Sequence, residues 1–240
     1  MSRPKNWPST LPYLTAPLHG KDLTPAHLAA IRTKPSSSAS STADVPVISA
    51  ADTPPLPCPR VKIQPITTPA SHPALGQCGL FAARNLAPGT LILAYLGRVH
   101  AGGGSAAAAG KSSSDYDLWL DREADVAVDA AACGNEARFV NDYRGVGPAR
   151  PNAEFRPAFC ERWGEVCVGV WVMAAAAAGR KGKGQGGKGG IRKGEEILVS
   201  YGKGFWEERR REKEEGEEEE VEEEEEAEEE EEGGSERKGA

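Results

Sequence analysis

Within Ala137-Arg138-Phe139-Val140-Asn141, a guanidinium and a carboxamide stand among apolar neighbours. Buried polar groups need hydrogen-bond partners, so Arg138 and Asn141 must meet either backbone groups or a ligand. Further along, Phe205 and Trp206 directly precede a highly charged tail, where the demand for core should end, and they are candidates for covering a bound molecule. Tyr116 and Trp119 lie on a strand candidate, where core packing and a binding role are both open. The five cysteines (Cys58, Cys78, Cys133, Cys160, Cys167) are scattered and include no Cys-x-x-Cys pair. That spacing argues against a disulfide scaffold and against a structural zinc site. The basic run from Arg180 to Lys188 reads as a solvated Gly-Lys loop, and no direct nucleic-acid site is expected.

The elements that must position these residues belong to a chain of 240 residues with 6% aromatics, 28 Gly and 18 Pro. Much of it is therefore expected outside a packed core. The formal charge of -7 conceals two opposite parts. Residues 207–240 hold 20 Glu against 6 Lys or Arg, a net -14, and the remainder carries +7. This predicts a mildly basic body followed by an acidic disordered tail, read chiefly as a solubilising polyanion that also attracts basic partners. The longest apolar run, Val166 to Gly179, is 14 residues, too short to span a bilayer. No hydrophobic stretch follows the N-terminal residues, so no signal peptide and an intracellular location are expected.

The chain divides into an N-terminal segment (1–34), a disordered linker (35–60), a body (61–206) and the tail (207–240). In the first, Leu23 to Arg32 reads as a helix with Thr24 as N-cap, Pro25 at the first helical position, and Leu28 and Ile31 on one face. The linker is assigned from the Ser, Ala, Thr and Pro content of Ser36 to Pro59. In the body, strands are predicted at Val61–Ile66, Thr90–His100, Asp115–Asp121, Val126–Ala130, Glu165–Met173 and Glu196–Tyr201, with a helical turn within Gly134–Asn141. Segments 101–114 and 174–190 are low-complexity loops, cheap to lengthen. Short strands separated by turns predict a mainly β fold.

Four stretches taken together resemble the SET domain of protein lysine methyltransferases. They are Gly76 to Arg84 with Leu86-Ala87-Pro88-Gly89; Tyr95-Leu96-Gly97; Gly134-Asn135-Glu136-Ala137-Arg138-Phe139-Val140-Asn141 with Pro151-Asn152; and Lys193-Gly194-Glu195-Glu196-Ile197-Leu198-Val199-Ser200-Tyr201-Gly202. The resemblance covers residues 61–206 and implies a β-clip-like fold of short sheets. In it, the third and fourth stretches thread through one another as a knot-like crossing.

It also implies S-adenosylmethionine as cofactor and methyl transfer to lysine side chains of a protein substrate, with histone tails as one candidate and the nucleus as the compartment. By resemblance, Gly79, Leu80, Arg138, Asn141, Asp142, Tyr201 and Trp206 lie at the cofactor. Gly79 would allow close approach, and Arg138 could instead brace the crossing through backbone carbonyls. Tyr201 would stand beside the transferred methyl group as the catalytic residue, while Tyr116 and Phe205 would line the lysine channel. Asp142 stands where the family usually has histidine, and no cysteine-rich segment flanks the body. The altered pocket leaves a second reading open: a SET-like module that binds basic protein segments without turnover.

Overall fold

The computed structural model describes residues 3–35, 45–102, 114–174, 190–202 and 206. Its first unit is Met1–Ser200 and its second is Tyr201–Ala240. The first unit is mainly β, built of short sheets as the sequence predicts. One four-stranded sheet has the order β1 (Leu18–His19), β6 (Arg98–Ala101), β8 (Val126–Asp129), β7 (Asp117–Asp121). The other has the order β2 (Val47–Ile48), β10 (Ala153–Cys160), β11 (Glu165–Val172), β5 (Leu91–Tyr95). Two small sheets complete it: β3 (Val61–Pro65) with β4 (Cys78–Ala82), and β9 (Asn141–Asp142) with β12 (Leu198–Val199).

The single strand expected over Thr90–His100 is two strands in different sheets. All five residues of β5 are buried, so neither face of it alternates with solvent. The chain then turns at Leu96-Gly97 and enters the other sheet as β6. Gly97 permits this because a Cβ there would lie 2.2 Å from the Asp129 carbonyl oxygen. Strand β10 has no counterpart in the sequence reading, because Glu154, Arg156 and Pro157 break its pattern. Pro157 is tolerated because β2 pairs only with Phe159 and Cys160, leaving that edge without a strand partner farther back.

Residues 45–60, assigned to a disordered linker from their composition, are structured. Val47 and Ile48 pair in parallel with Phe159 and Cys160, and Ile48, Thr53 and Cys58 are buried. Composition misleads here because a few well-placed anchors suffice to pin a Pro-rich segment. The rest of the expected linker, residues 36–44, lies outside the described residues, as do most of both low-complexity loops and the tail.

The N-terminal segment docks on the body. Helix α1 (Pro25–Arg32) has a reciprocal cap: His27 N–H donates to Thr24 Oγ1, and Thr24 N–H donates to His27 Nδ1. An eight-residue helix is marginal alone, but Ile31 is fully buried against the body. Buried Glu165 receives His19 Nε2 at 2.9 Å and lies 3.8 Å from Arg32 Nε, and Lys34 donates to Glu161 at 2.7 Å. Ahead of the helix, Trp7 packs edge-on against Tyr13 and Phe139.

One pair in the first sheet makes stability pH-dependent. His100 Nδ1 faces the Ala101 carbonyl at 2.8 Å and Nε2 faces Asp117 Oδ1 at 3.0 Å. Both partners only accept, so both ring nitrogens can donate only in the imidazolium. Burial opposes that charge, but the Ala101 carbonyl, Asp117 and, farther off, Asp22 outweigh it and raise the pKa above the ordinary 6.5. A raised histidine pKa contributes stability that is fully present below 6.5 and lost as pH rises through the folded value. The thermal midpoint of the wild type should therefore fall across that window relative to His100→Gln. Parallel curves for the two proteins would refute this.

Candidate active site

The third and fourth motifs meet at a crossing of the chain. Strand β12 pairs in parallel with β9, Leu198 opposite Asn141 and Val199 opposite Asp142. Tyr143 N–H donates to the Val199 carbonyl at 3.0 Å. On its other side, Asn152 N–H donates to the Leu198 carbonyl at 3.0 Å, and Leu198 N–H donates to Asn152 Oδ1 at 2.9 Å. The segment 142–152 thus bonds to both edges of the strand that carries Leu198. Residues before the crossing are held by β4: Ala82 N–H donates to the Glu195 carbonyl and Ile197 N–H to the Leu80 carbonyl.

The two consecutive glutamates of the fourth motif do different work. Glu195 accepts from Arg192 N–H at 2.8 Å and closes its own turn. Glu196 turns inward, where Oε1 accepts from Asn141 Nδ2 at 2.9 Å and Oε2 contacts His72 Nε2 at 3.1 Å. Gly79 lies beside it, and a Cβ there would stand 2.5 Å from Glu196 Oε1. The space that this glycine leaves open is occupied by the glutamate. Leu80, its neighbour, is fully buried.

Asp142 is 7% exposed, yet its charge is compensated. Arg144 Nη1 reaches Asp142 Oδ2 at 2.9 Å, and Arg144 N–H donates to Oδ1 at 2.8 Å. The same Nη1 is 3.4 Å from Ser200 Oγ, tying β9 to the residue before Tyr201 in sequence. Arg138 donates through Nε to the Ala130 carbonyl at 2.9 Å and stacks over the Tyr116 ring at 4.4 Å. Tyr116 is further fixed by its own carbonyl, which accepts from the Tyr95 hydroxyl at 2.7 Å.

The first unit therefore brings together Gly79, Leu80, Asn141 and Asp142 at the crossing, with Arg138 and Tyr116 stacked on one another. Tyr201 and Trp206 belong to the second unit, where both are half-buried, and Phe205 lies outside the described residues. Sequence reasoning missed His72 and the inward role of Glu196. It also missed two supports of the third motif. Asn135, fully buried, binds both Leu96 N–H and the Ala94 carbonyl. Glu136, 1% exposed, accepts from Tyr13 Oη at 2.9 Å and from Cys58 N–H at 2.7 Å. Burial and the Glu136 charge together raise the Tyr13 pKa, keeping its phenol protonated as a donor. A polar residue next to an apolar run was the available signal for each. Among the described residues, no group of three His, Cys, Asp or Glu is placed to hold a metal ion, and no helix is long and apolar enough to cross a membrane.

No family model and no curated protein matches the chain. Solved structures that resemble it include the polycomb repressive complex 2 of Chaetomium thermophilum in an autoinhibited conformation bound to S-adenosylmethionine. That likeness has a TM-score of 0.41 at 20% identity, over 59% of this chain and 15% of the other. Another is an active polycomb repressive complex 2 in the basal state, with a TM-score of 0.37 at 21% identity over 52% of this chain and 13% of the other. The chain thus corresponds to only a small part of these much longer chains.

Proposed function

We propose that this chain is a SET-type methyltransferase that uses S-adenosylmethionine to methylate lysine side chains of a protein substrate. The observation that supports this most is the crossing, in which Asn141–Asp142 and Leu198–Val199 pair while Asn152 bonds to Leu198. It joins the two motifs that the resemblance requires to meet.

The residues present fit the cofactor. The Glu196 contact occupies the Asn141 NH2 group and leaves its oxygen as an acceptor for an ammonium group. Arg144 offsets the carboxylate that replaces the usual histidine, so Asp142 does not add an unbalanced charge. S-adenosylmethionine, when bound, would supply a sulfonium methyl carbon for attack by a neutral amine, the N–C bond forming as the C–S bond breaks and the thioether leaves.

The chain's own task is to orient and desolvate. A free lysine has a pKa of about 10.4, so a dry channel that disfavours its cation raises the fraction able to attack. In this reading Tyr201 is the residue that orients the amine or the methyl group through its hydroxyl. Arg138 acts as a brace, since its guanidinium is already committed to Ala130 and Tyr116. The acidic tail attracts basic substrates such as histone tails, and a nuclear location suits that class.

Calorimetry of the full chain with S-adenosylmethionine, followed by transfer of labelled methyl to core histones and to total protein, tests this. Binding with transfer is expected. Binding without transfer to any protein would identify a recognition module instead, and absence of both would overturn the assignment.

A further inference from the structure

Three side chains meet at the inner end of the crossing, and the chemistry of each fixes the next. His72 is 4% exposed, and its Nδ1 accepts from Ala74 N–H at 3.0 Å. That nitrogen therefore carries no proton, and Nε2 carries it. Nε2–H is then the donor to Glu196 Oε2 at 3.1 Å. The remaining oxygen, Oε1, faces Asn141 Nδ2 at 2.9 Å. A carboxylate only accepts, so the carboxamide must turn its NH2 toward Glu196. Its Oδ1 is left as an acceptor with no protein donor among the described residues. Gly79 seats the carboxylate, since any Cβ there would displace it.

We infer that Glu196, backed by His72, is a positioning residue that fixes the Asn141 carboxamide with its oxygen presented to the α-ammonium group of the methyl donor. This rests on the methyltransferase reading above. Glu196 acts through Asn141 and does not itself touch the donor. The arrangement gives recognition of the amino-acid portion of the donor to an atom whose identity depends on a residue 55 positions away.

The inference predicts an inversion. In Glu196→Gln, His72 Nε2–H still requires an acceptor, so the new carboxamide turns its oxygen to His72 and its NH2 to Asn141. Asn141 must then reverse and present NH2 to an ammonium group. Titration of the full chain should show S-adenosylmethionine affinity falling about ten- to a hundredfold. Affinity for methylthioadenosine, which lacks the amino-acid portion, should be unchanged. The double variant Glu196→Gln with Asn141→Asp restores an outward acceptor, because the new carboxylate takes the NH2 of the introduced glutamine on one oxygen and offers the other. It should regain most of the lost affinity, even where the single variant is destabilised.

Equal losses for the two ligands in Glu196→Gln, undiminished S-adenosylmethionine binding, or failure of the double variant to recover would each overturn the inference while leaving the methyltransferase reading intact. A wild type that binds neither ligand would overturn both.

Discussion

Asn135→Leu should lower the unfolding free energy by about 3 kcal/mol, measured by guanidinium chloride denaturation with little change in slope. The Asn135 side chain acts as a short strand. Its Oδ1 accepts from Leu96 N–H at 3.1 Å and its Nδ2 donates to the Ala94 carbonyl at 2.8 Å, along the edge of β5 opposite β11. Leucine keeps nearly the same shape, so packing around this fully buried position changes little. It removes both partners from backbone groups that lie far from water, and each such orphan costs about 1–3 kcal/mol. The damage is local to the point where β5 leaves one sheet and the chain turns toward the other at Gly97. A loss under about 1 kcal/mol would mean that the backbone finds other partners there and that Asn135 is not the edge of the sheet.

Tyr201→Phe should lower the rate of methyl transfer about a hundredfold while S-adenosylmethionine affinity stays close to that of the wild type. The substitution keeps the ring and removes only the hydroxyl. Displacement at a methyl carbon demands a nearly linear approach of the amine, and a small error in alignment costs about two orders of magnitude. If the hydroxyl orients the reacting groups, the loss falls on kcat, because an interaction used in the transition state has been removed. If Tyr201 served only to cover the cofactor, the loss would fall on binding instead. Single-turnover transfer to the best substrate, together with calorimetry, separates the two. A Tyr201→Phe protein with an undiminished rate would remove this residue from the mechanism.

Two groups of contacts brace the third motif and the residues that follow it. Asp142 alone would be a buried anion, but Arg144, two residues on, pairs with it and also approaches Ser200. Buried charges persist only when paired, so the two positions should be exchanged together or not at all. The N-terminal residues support the third motif. Trp7 meets Phe139 edge-on, and Tyr13 donates to Glu136.

Strand positions with simple alternation were legible because a half-buried strand repeats every two residues. Val61–Pro65 and Val126–Asp129 lie within their predicted ranges for that reason. Strand β10 was not, since Pro157 and two charged residues hide a pattern that only its position at a partly open sheet edge makes acceptable. The linker assignment failed over residues 45–60 through the same limitation. Composition measures how much apolar surface a segment carries, whereas Ile48 and Cys58 succeed by where that surface lands.

The amino-acid sequence alone determined the mainly β class, the capped N-terminal helix, the acidic tail and the four motifs with their order, because each is encoded in local spacing and residue type. Tertiary structure decided which of two adjacent glutamates faces inward, which partner the Asn141 carboxamide takes, and that Arg138 is committed to Ala130 and Tyr116. Hydrogen bonds between residues tens of positions apart carry no periodic signal. Only when the chain crosses itself do Asn141, His72 and Glu196 acquire the neighbours that define their protons and their orientation.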